Sequence, residues 1–303
     1  MFITVSSLWG ILPLRGMRGQ QLLWSNAVIA LGALGCVPAS WSLAGLYPPL
    51  TSEDWFFAGG IGAATWLAYT WQRHVKSTRP DGLRAQHRTW HQSHWPSLRF
   101  LSIVLFALAA LACWKILCRV DAWGGDFVLM GSTLLIAAAL TLLYAGLPGA
   151  RGIRFALRRM PRLKLLWIGL VWALVTTAWP IWWKTGPNAL TAFDTLLLMS
   201  ERACVIMALT LPFDLRDVDW DPPALRTIPQ MLGPNGTRVV AASLLASACT
   251  ARWLLMEGNA TAMVGPGIMM GAVSLAGAQR PPLYFVALDG LLIADALWLM
   301  TMV

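Results

Sequence analysis

The chain has 303 residues, 57% of them hydrophobic and only 12% charged, with a mean hydropathy of +0.59 and a formal charge of +9. A soluble globular domain carries about 25% charged residues, so that class is excluded. The basic residues sit between apolar runs and form no recognised nucleic-acid motif, so membrane topology rather than nucleic acid accounts for the positive charge.

Apolar runs of roughly 20 residues, each able to cross a hydrocarbon core of about 30 Å, recur along the whole length. In chain order they cover residues 22–46, 52–72, 98–118, 127–147, 163–183, 190–212, 237–256, 260–279 and 282–302. The expected architecture is an all-α polytopic membrane protein of about nine transmembrane helices, with residues 1–303 forming a single transmembrane domain. Small residues in the second run, "FFAGGIGAATWLAY", suit close helix packing in lipid. Met1 to Gly10 lacks a basic segment and the first long apolar run begins only after Arg15 and Arg18, so a retained anchor is expected rather than a cleaved signal. Cys36, Cys113, Cys118, Cys204 and Cys249 lie in or at the ends of apolar runs with no C-x-x-C spacing, which reads as core residues.

Orientation follows from the basic residues. Arg15 and Arg18 precede the first run, Arg73, Lys76, Arg79, Arg84, Arg88 and Arg99 follow the second, and Arg151, Arg154, Arg158, Arg159, Arg162 and Lys164 follow the fourth. Arg216, Arg226 and Arg238 follow the sixth and Arg280 the eighth, whereas the opposite side has Lys115, Arg119, Lys184 and Arg252. The positive-inside rule then places the N-terminus in the cytoplasm and the C-terminus outside, in an integral protein expected in a bacterial inner (plasma) membrane. The two longest loops, residues 73–97 and 213–236, fall on the cytoplasmic side.

The second of these loops begins "DLRDVDWDPPALRTIPQMLG" and holds Asp214, Asp217, Asp219 and Asp221. Asp214, Asp217 and Asp221 share one face if the sixth helix continues to the proline pair Pro222 and Pro223. Like charges at a helix C-terminus are unfavourable unless a cation compensates. One reading is a Mg²⁺ site, in which one or two carboxylates and the phosphates of a substrate share the ion. The other is a solvated acidic loop with Arg216 and Arg226 as counter-charges.

This stretch resembles the second aspartate-rich motif of the UbiA superfamily of intramembrane prenyltransferases, D-x-x-D-x-x-x-D followed by Thr-x-Pro and Gly. The matching positions are Asp214, Asp217, Asp221, Thr227, Pro229 and Gly233. The resemblance implies a nine-helix bundle with motifs after helices two and six, Mg²⁺ on Asp214, Asp217 and Asp221, a prenyl diphosphate donor and a lipophilic acceptor. It implies prenyl transfer within the membrane; Arg73, Lys76 and Arg216 are this chain's own candidates for holding the diphosphate.

The first family motif, N-x-x-x-D-x-x-x-D, is not kept. In "YTWQRHVKSTRPDG", Thr70 taken as the Asn position puts His74 and Thr78 where the carboxylates belong, and Asp81 is the next carboxylate downstream. Cations here can hold a diphosphate directly, can mark a non-catalytic protein that binds an isoprenoid or a partner, or can be a positive-inside flank without a ligand. His87, His91 and His94 follow with helical spacing, readable as a transition-metal cluster or as an interfacial helix carrying Trp90 and Trp95. Glu201, Arg202, Asp289 and Asp295 lie inside apolar runs, where ionisable residues are functional candidates or buried packing pairs. They also keep open an ion-coupled transporter with a polar midplane site. Glu201 and Arg202 are adjacent, so each needs a partner on another helix.

Overall fold

A backbone in lipid has to satisfy its N–H and C=O groups internally, and for this chain the helix does so. The computed structural model describes residues 19–46, 50–77, 83, 85–118, 127–146, 148–149, 152–153, 156–157, 160, 162–186 and 190–302. The basic flanks Arg15, Arg18, Arg79, Arg84, Arg119, Arg151, Arg154, Arg158 and Arg159 lie outside the described residues, as do Thr78 and Asp81.

Helices α1 (Gly19–Trp24) and α2 (Ala27–Leu43) form the first run. They are separated at Asn26, whose φ of 61° suits an asparagine better than a branched residue. Asn26 Nδ2 donates to Thr70 Oγ1 at 3.0 Å and Trp66 Nε1 donates to the Ser25 carbonyl at 2.7 Å, which pins this break to α3 (Ser52–Ser77). Next come α4 (Ala85–Cys118), α5 (Phe127–Ala145) and a two-residue antiparallel pair, β1 (Pro148–Gly149) with β2 (Gly152–Ile153). Helix α6 (Lys164–Ala173) passes through a π-helical turn, Leu174–Ala178, into α7 (Trp179–Thr185). The chain closes with α8 (Ala192–Arg216), α9 (Ile228–Leu255), α10 (Val264–Ser274) and α11 (Pro282–Met300).

Each predicted apolar run contains helix. By length and composition, five stretches among the described residues can cross a membrane: Ala85–Lys115, Lys164–Thr185, Ala192–Arg216, Ile228–Leu255 and Pro282–Met300. The two expected loops need correction. Most of residues 73–97 is helical, because α3 runs on to Ser77 and α4 starts at Ala85. The 213–236 loop shrinks to residues 217–227 between α8 and α9.

The reason for the first correction is aromatic packing. Trp90 is buried, Trp24 stacks on His87 with ring centroids 4.9 Å apart, and Trp95 stacks on His74 at 3.8 Å. Trp90 and Trp95 therefore bind the start of α4 to α1 and α3 instead of anchoring an interfacial helix. Farther along α4, Phe100, Ile103 and Val104 face outward, as a lipid solvent requires.

The helices pack as neighbouring pairs: α8 with α9, α2 with α11, α3 with α2 and α4, α6 with α8, and α9 with α10. The core divides into two main apolar clusters. One gathers Trp41, Phe57, Trp179 and Trp183, and the other gathers Trp172, Leu209, Leu245 and Phe285. The π turn is tied to α2 by side chains: Ser40 Oγ donates to the Thr176 carbonyl at 2.7 Å, and Trp41 Nε1 to the Pro180 carbonyl at 2.6 Å.

Candidate functional site

A cavity of about 1690 Å³ runs between the helices, from the acidic stretch at one end to Phe57 and Trp179 at the other. Drug-sized ligand sites occupy about 300–1,000 Å³, so this one has room for two reactants together. Its walls are mostly apolar and aromatic, while its charged lining includes Arg73, Lys76, Lys164, Asp214, Arg216, Asp217 and Asp221.

Helix α8 carries the acidic stretch to the cavity but ends earlier than the proline pair predicts. Arg216 is its last residue and Asp217 its C-cap, after which the chain turns so that Trp220 N and Asp221 N both donate to the Asp217 carbonyl at 2.9 Å. The three carboxylates consequently do not share a helical face. Asp214 and Asp221 converge on one cation, Lys164 Nζ, at 2.7 and 3.0 Å. Asp217 turns to Arg216, accepting from Nε and Nη2 at 2.9 Å each. Repulsion among carboxylates at a negative helix terminus is thus relieved by side-chain cations.

The rest of the motif shapes the connection. Thr227 N donates to Gln230 Oε1 at 2.9 Å, and Gln230 Nε2 donates to the Asp221 carbonyl at 2.9 Å, which fastens the acidic turn to the start of α9. Pro229 sits in the first turn of α9, where a missing N–H costs nothing. Gly233 has φ 66° and ψ −175°, a conformation reserved for glycine, and kinks α9 there. Arg162 N donates to the Leu225 carbonyl at 3.2 Å and holds the same connection from the α6 side.

Toward the end of α3 the residues lining the cavity include Tyr69, Trp71, Gln72, Arg73 and Lys76. Gln72 and Lys76 have the four-residue spacing of the missing carboxylates. Both line the cavity, whereas Thr70 and His74 do not. Thr70 is engaged with Asn26, and His74 turns away to stack on Trp95. Arg73 Nη1 is buried without a hydrogen-bond partner, and so is His87 Nε2. Both residues line the cavity.

Sequence reasoning placed Arg73, Lys76, Arg216 and the three aspartates here and missed Lys164, which it counted only as a topological flank. The available signal was position: Lys164 falls inside the fifth apolar run, one residue from its start, whereas the other basic residues of that cluster precede the run.

A Mg²⁺ ion held by Asp214, Asp217 and Asp221 would need convergent oxygens at 2.0–2.1 Å. Among the described residues, no three His, Cys, Asp or Glu side chains come together in a manner that could hold a metal. The three-carboxylate Mg²⁺ set does not fit this arrangement, because an ammonium stands between two members and a guanidinium covers the third. The histidine cluster likewise disperses: His87 packs on Trp24, His94 on Trp90, and His91 lies against His74 and Trp95.

The intramembrane charges separate into two groups. Asp289 lines the cavity. Arg252, fully buried, donates through Nε to Glu201 at 2.8 Å and through Nη1 and Nη2 to Asp295 at 2.7 and 2.6 Å, with a further bond to the Ala262 carbonyl at 3.0 Å. Arg202 reaches Cys36 Sγ at 3.3 Å and Ser40 Oγ at 3.5 Å on α2. Glu201 and Arg202 therefore do take separate partners on different helices.

Solved structures with the same arrangement of helices identify the architecture. An apo structure of a UbiA homolog from Aeropyrum pernix K1 is 14% identical and covers 92% of this chain and 99% of its own, with a TM-score of 0.56. The chain has the UbiA fold. A UbiA homolog from Archaeoglobus fulgidus matches with a TM-score of 0.55, 14% identity and coverage of 93% and 99%. A second structure of a homolog from that organism, bound to GPP and Mg²⁺, matches at 0.52, 12% identity and coverage of 92% and 99%. No protein-family model and no curated protein matches the chain. The charged cluster and the apolar walls line the same cavity.

Proposed function

We propose that this protein binds a prenyl diphosphate, with the diphosphate at the charged end of the cavity and the isoprenoid tail along its apolar length, and transfers the prenyl group to a lipophilic acceptor within the membrane. The observation that carries the reading is the amphipathic cavity: cationic side chains, with Arg216 over the Phe213 and Phe285 rings, and aromatic walls including Trp172 and Trp179 line one continuous space. The Archaeoglobus homolog bound to GPP and Mg²⁺ supports the donor class. A Mg²⁺ ion in this chain would compete with Lys164 Nζ for Asp214 and Asp221. The proposed setting is a bacterial inner (plasma) membrane.

In such a transfer, the bond between the allylic C1 and the diphosphate oxygen breaks with its electron pair leaving on the diphosphate. Arg73, Lys76 and Lys164 would neutralise that departing charge, and aromatic faces would shelter the allylic cation from water. A nucleophilic atom of the acceptor then forms the new bond to C1 and gives up a proton.

A second reading, binding without turnover, is favoured by one observation: the last turns of α3 line the cavity with Gln72, Arg73 and Lys76 and carry no carboxylate. Ion-coupled transport loses its main support, since Glu201, Arg252 and Asp295 are consumed in a buried network that does not line the cavity. Purified protein incubated with labelled geranyl diphosphate separates the readings. Release of diphosphate on addition of lipophilic acceptors establishes transfer; saturable binding with no release under any of them establishes the binding protein.

A further inference from the structure

We infer that the charged end of the cavity recognises its diphosphate without a bound divalent metal, using Lys164, Lys76 and Arg73 as built-in cations. This rests on the prenyl-diphosphate reading and specifies how the donor is held. Three independent features point the same way.

The first is Lys164. Its ammonium bridges Asp214 and Asp221 at 2.7 and 3.0 Å, which is the position a divalent ion would need in order to reach two carboxylates. The arrangement is fixed by packing: Lys164 opens α6, α6 packs on α8, and the Arg162 N to Leu225 carbonyl bond holds the connection beside it. The second is Asp217, the remaining carboxylate of the motif, whose two oxygens both accept from Arg216.

The third is the wall formed by α3. The α3 residues at the spacing of a carboxylate pair are an amide, Gln72, and an ammonium, Lys76, and next to Gln72 lies Arg73 with a buried, unpartnered Nη1. A buried guanidinium N–H without an acceptor is costly and calls for an anion. It also repels a second cation. Mg²⁺ gives up its water shell reluctantly and requires an octahedral set of oxygens. Here it would have to displace an ammonium from its carboxylates in a cavity also lined by Arg73 and Lys76. A diphosphate, in contrast, gains charge-assisted hydrogen bonds from these same groups, as lysine gives to phosphate in other folds.

The test is a binding titration of the purified full-length chain with radiolabelled geranyl diphosphate, once in excess EDTA and once in excess Mg²⁺. The dissociation constants are expected to agree within about threefold. Binding that appears in Mg²⁺ and vanishes in EDTA overturns the metal-free site but leaves the prenyl-diphosphate reading intact. No binding under either condition overturns that reading, and this inference with it.

A variant adds a result that simple loss of a contact would not produce. Lys164→Met should weaken binding in EDTA by at least about tenfold, and Mg²⁺ should restore much of it, because Asp214 and Asp221 are then uncovered for a metal. Unchanged affinity of Lys164→Met in EDTA would overturn the role given to Lys164. The wild-type comparison stands even if that variant does not fold.

Discussion

Two groups of charges in this bundle lie within a few helices of one another and differ in how completely they are satisfied. Around Arg252, three charged side chains from α8, α9 and α11 neutralise each other almost wholly out of solvent, with exposures of 0% for Arg252, 1% for Glu201 and 3% for Asp295. Around Lys164, the carboxylates also find cations, but the cluster borders a large cavity that is also lined by residues with buried nitrogens, Arg73 Nη1 and His87 Nε2, lacking hydrogen-bond partners. Charge inside a membrane protein marks a functional site when its hydrogen-bonding capacity is unspent. Where that capacity is spent, the charge is architecture.

The largest expected effect breaks the closed group. Arg252→Met leaves Glu201 and Asp295 buried without their counter-ion and should cost about 3–5 kcal/mol, read as a large fall in the thermal midpoint in detergent. Gly265→Ala attacks the same group by shape, since a Cβ there would overlap the Asp295 carboxylate; a midpoint equal to the parent's would show the network to be more plastic than its geometry implies. At the open group the readout reverses. Arg73→Met should lower geranyl diphosphate affinity by about tenfold, or about 1.4 kcal/mol, while leaving the thermal midpoint near its parent value. If instead stability drops and affinity holds, Arg73 belongs with Arg252.

Smaller effects test the scaffold between the two. Gln230→Ala removes the bonds that fasten the acidic turn to α9 and should cost about 1 kcal/mol of stability, with a modest loss of affinity. Asp219→Asn changes an exposed carboxylate at the cavity rim, so its effect should stay within about 0.5 kcal/mol on either measurement.

Hydropathy alone located the helical runs, because lipid permits few other ways of satisfying a backbone, and the acidic motif alone pointed to the right fold. What it could not supply was the geometry of Asp214, Asp217 and Asp221. Their expected alignment assumed that α8 continues to Asp221, whereas the helix ends at Arg216, and the cation that joins two of them comes from Lys164, 50 residues before Asp214 and on another helix. The partner of Glu201 is similarly remote, since Arg252 lies 51 residues later. The α3 face is a related case. Spacing alone cannot say which face of a helix meets a cavity, and Gln72 and Lys76 do so while His74 is held by Trp95.

The π turn at Leu174–Ala178 governs the phase of the helix that contains it. Before it, Lys164, Ile168 and Trp172 look into the cavity; after it, Trp179 still does, and Trp183 enters the core beside Phe57. One residue is worth about 100° of rotation in an α-helix. Deleting a single residue of that turn would therefore swing the tryptophan end against the lysine end, so the extra residue acts as a timing device that keeps both ends aimed inward.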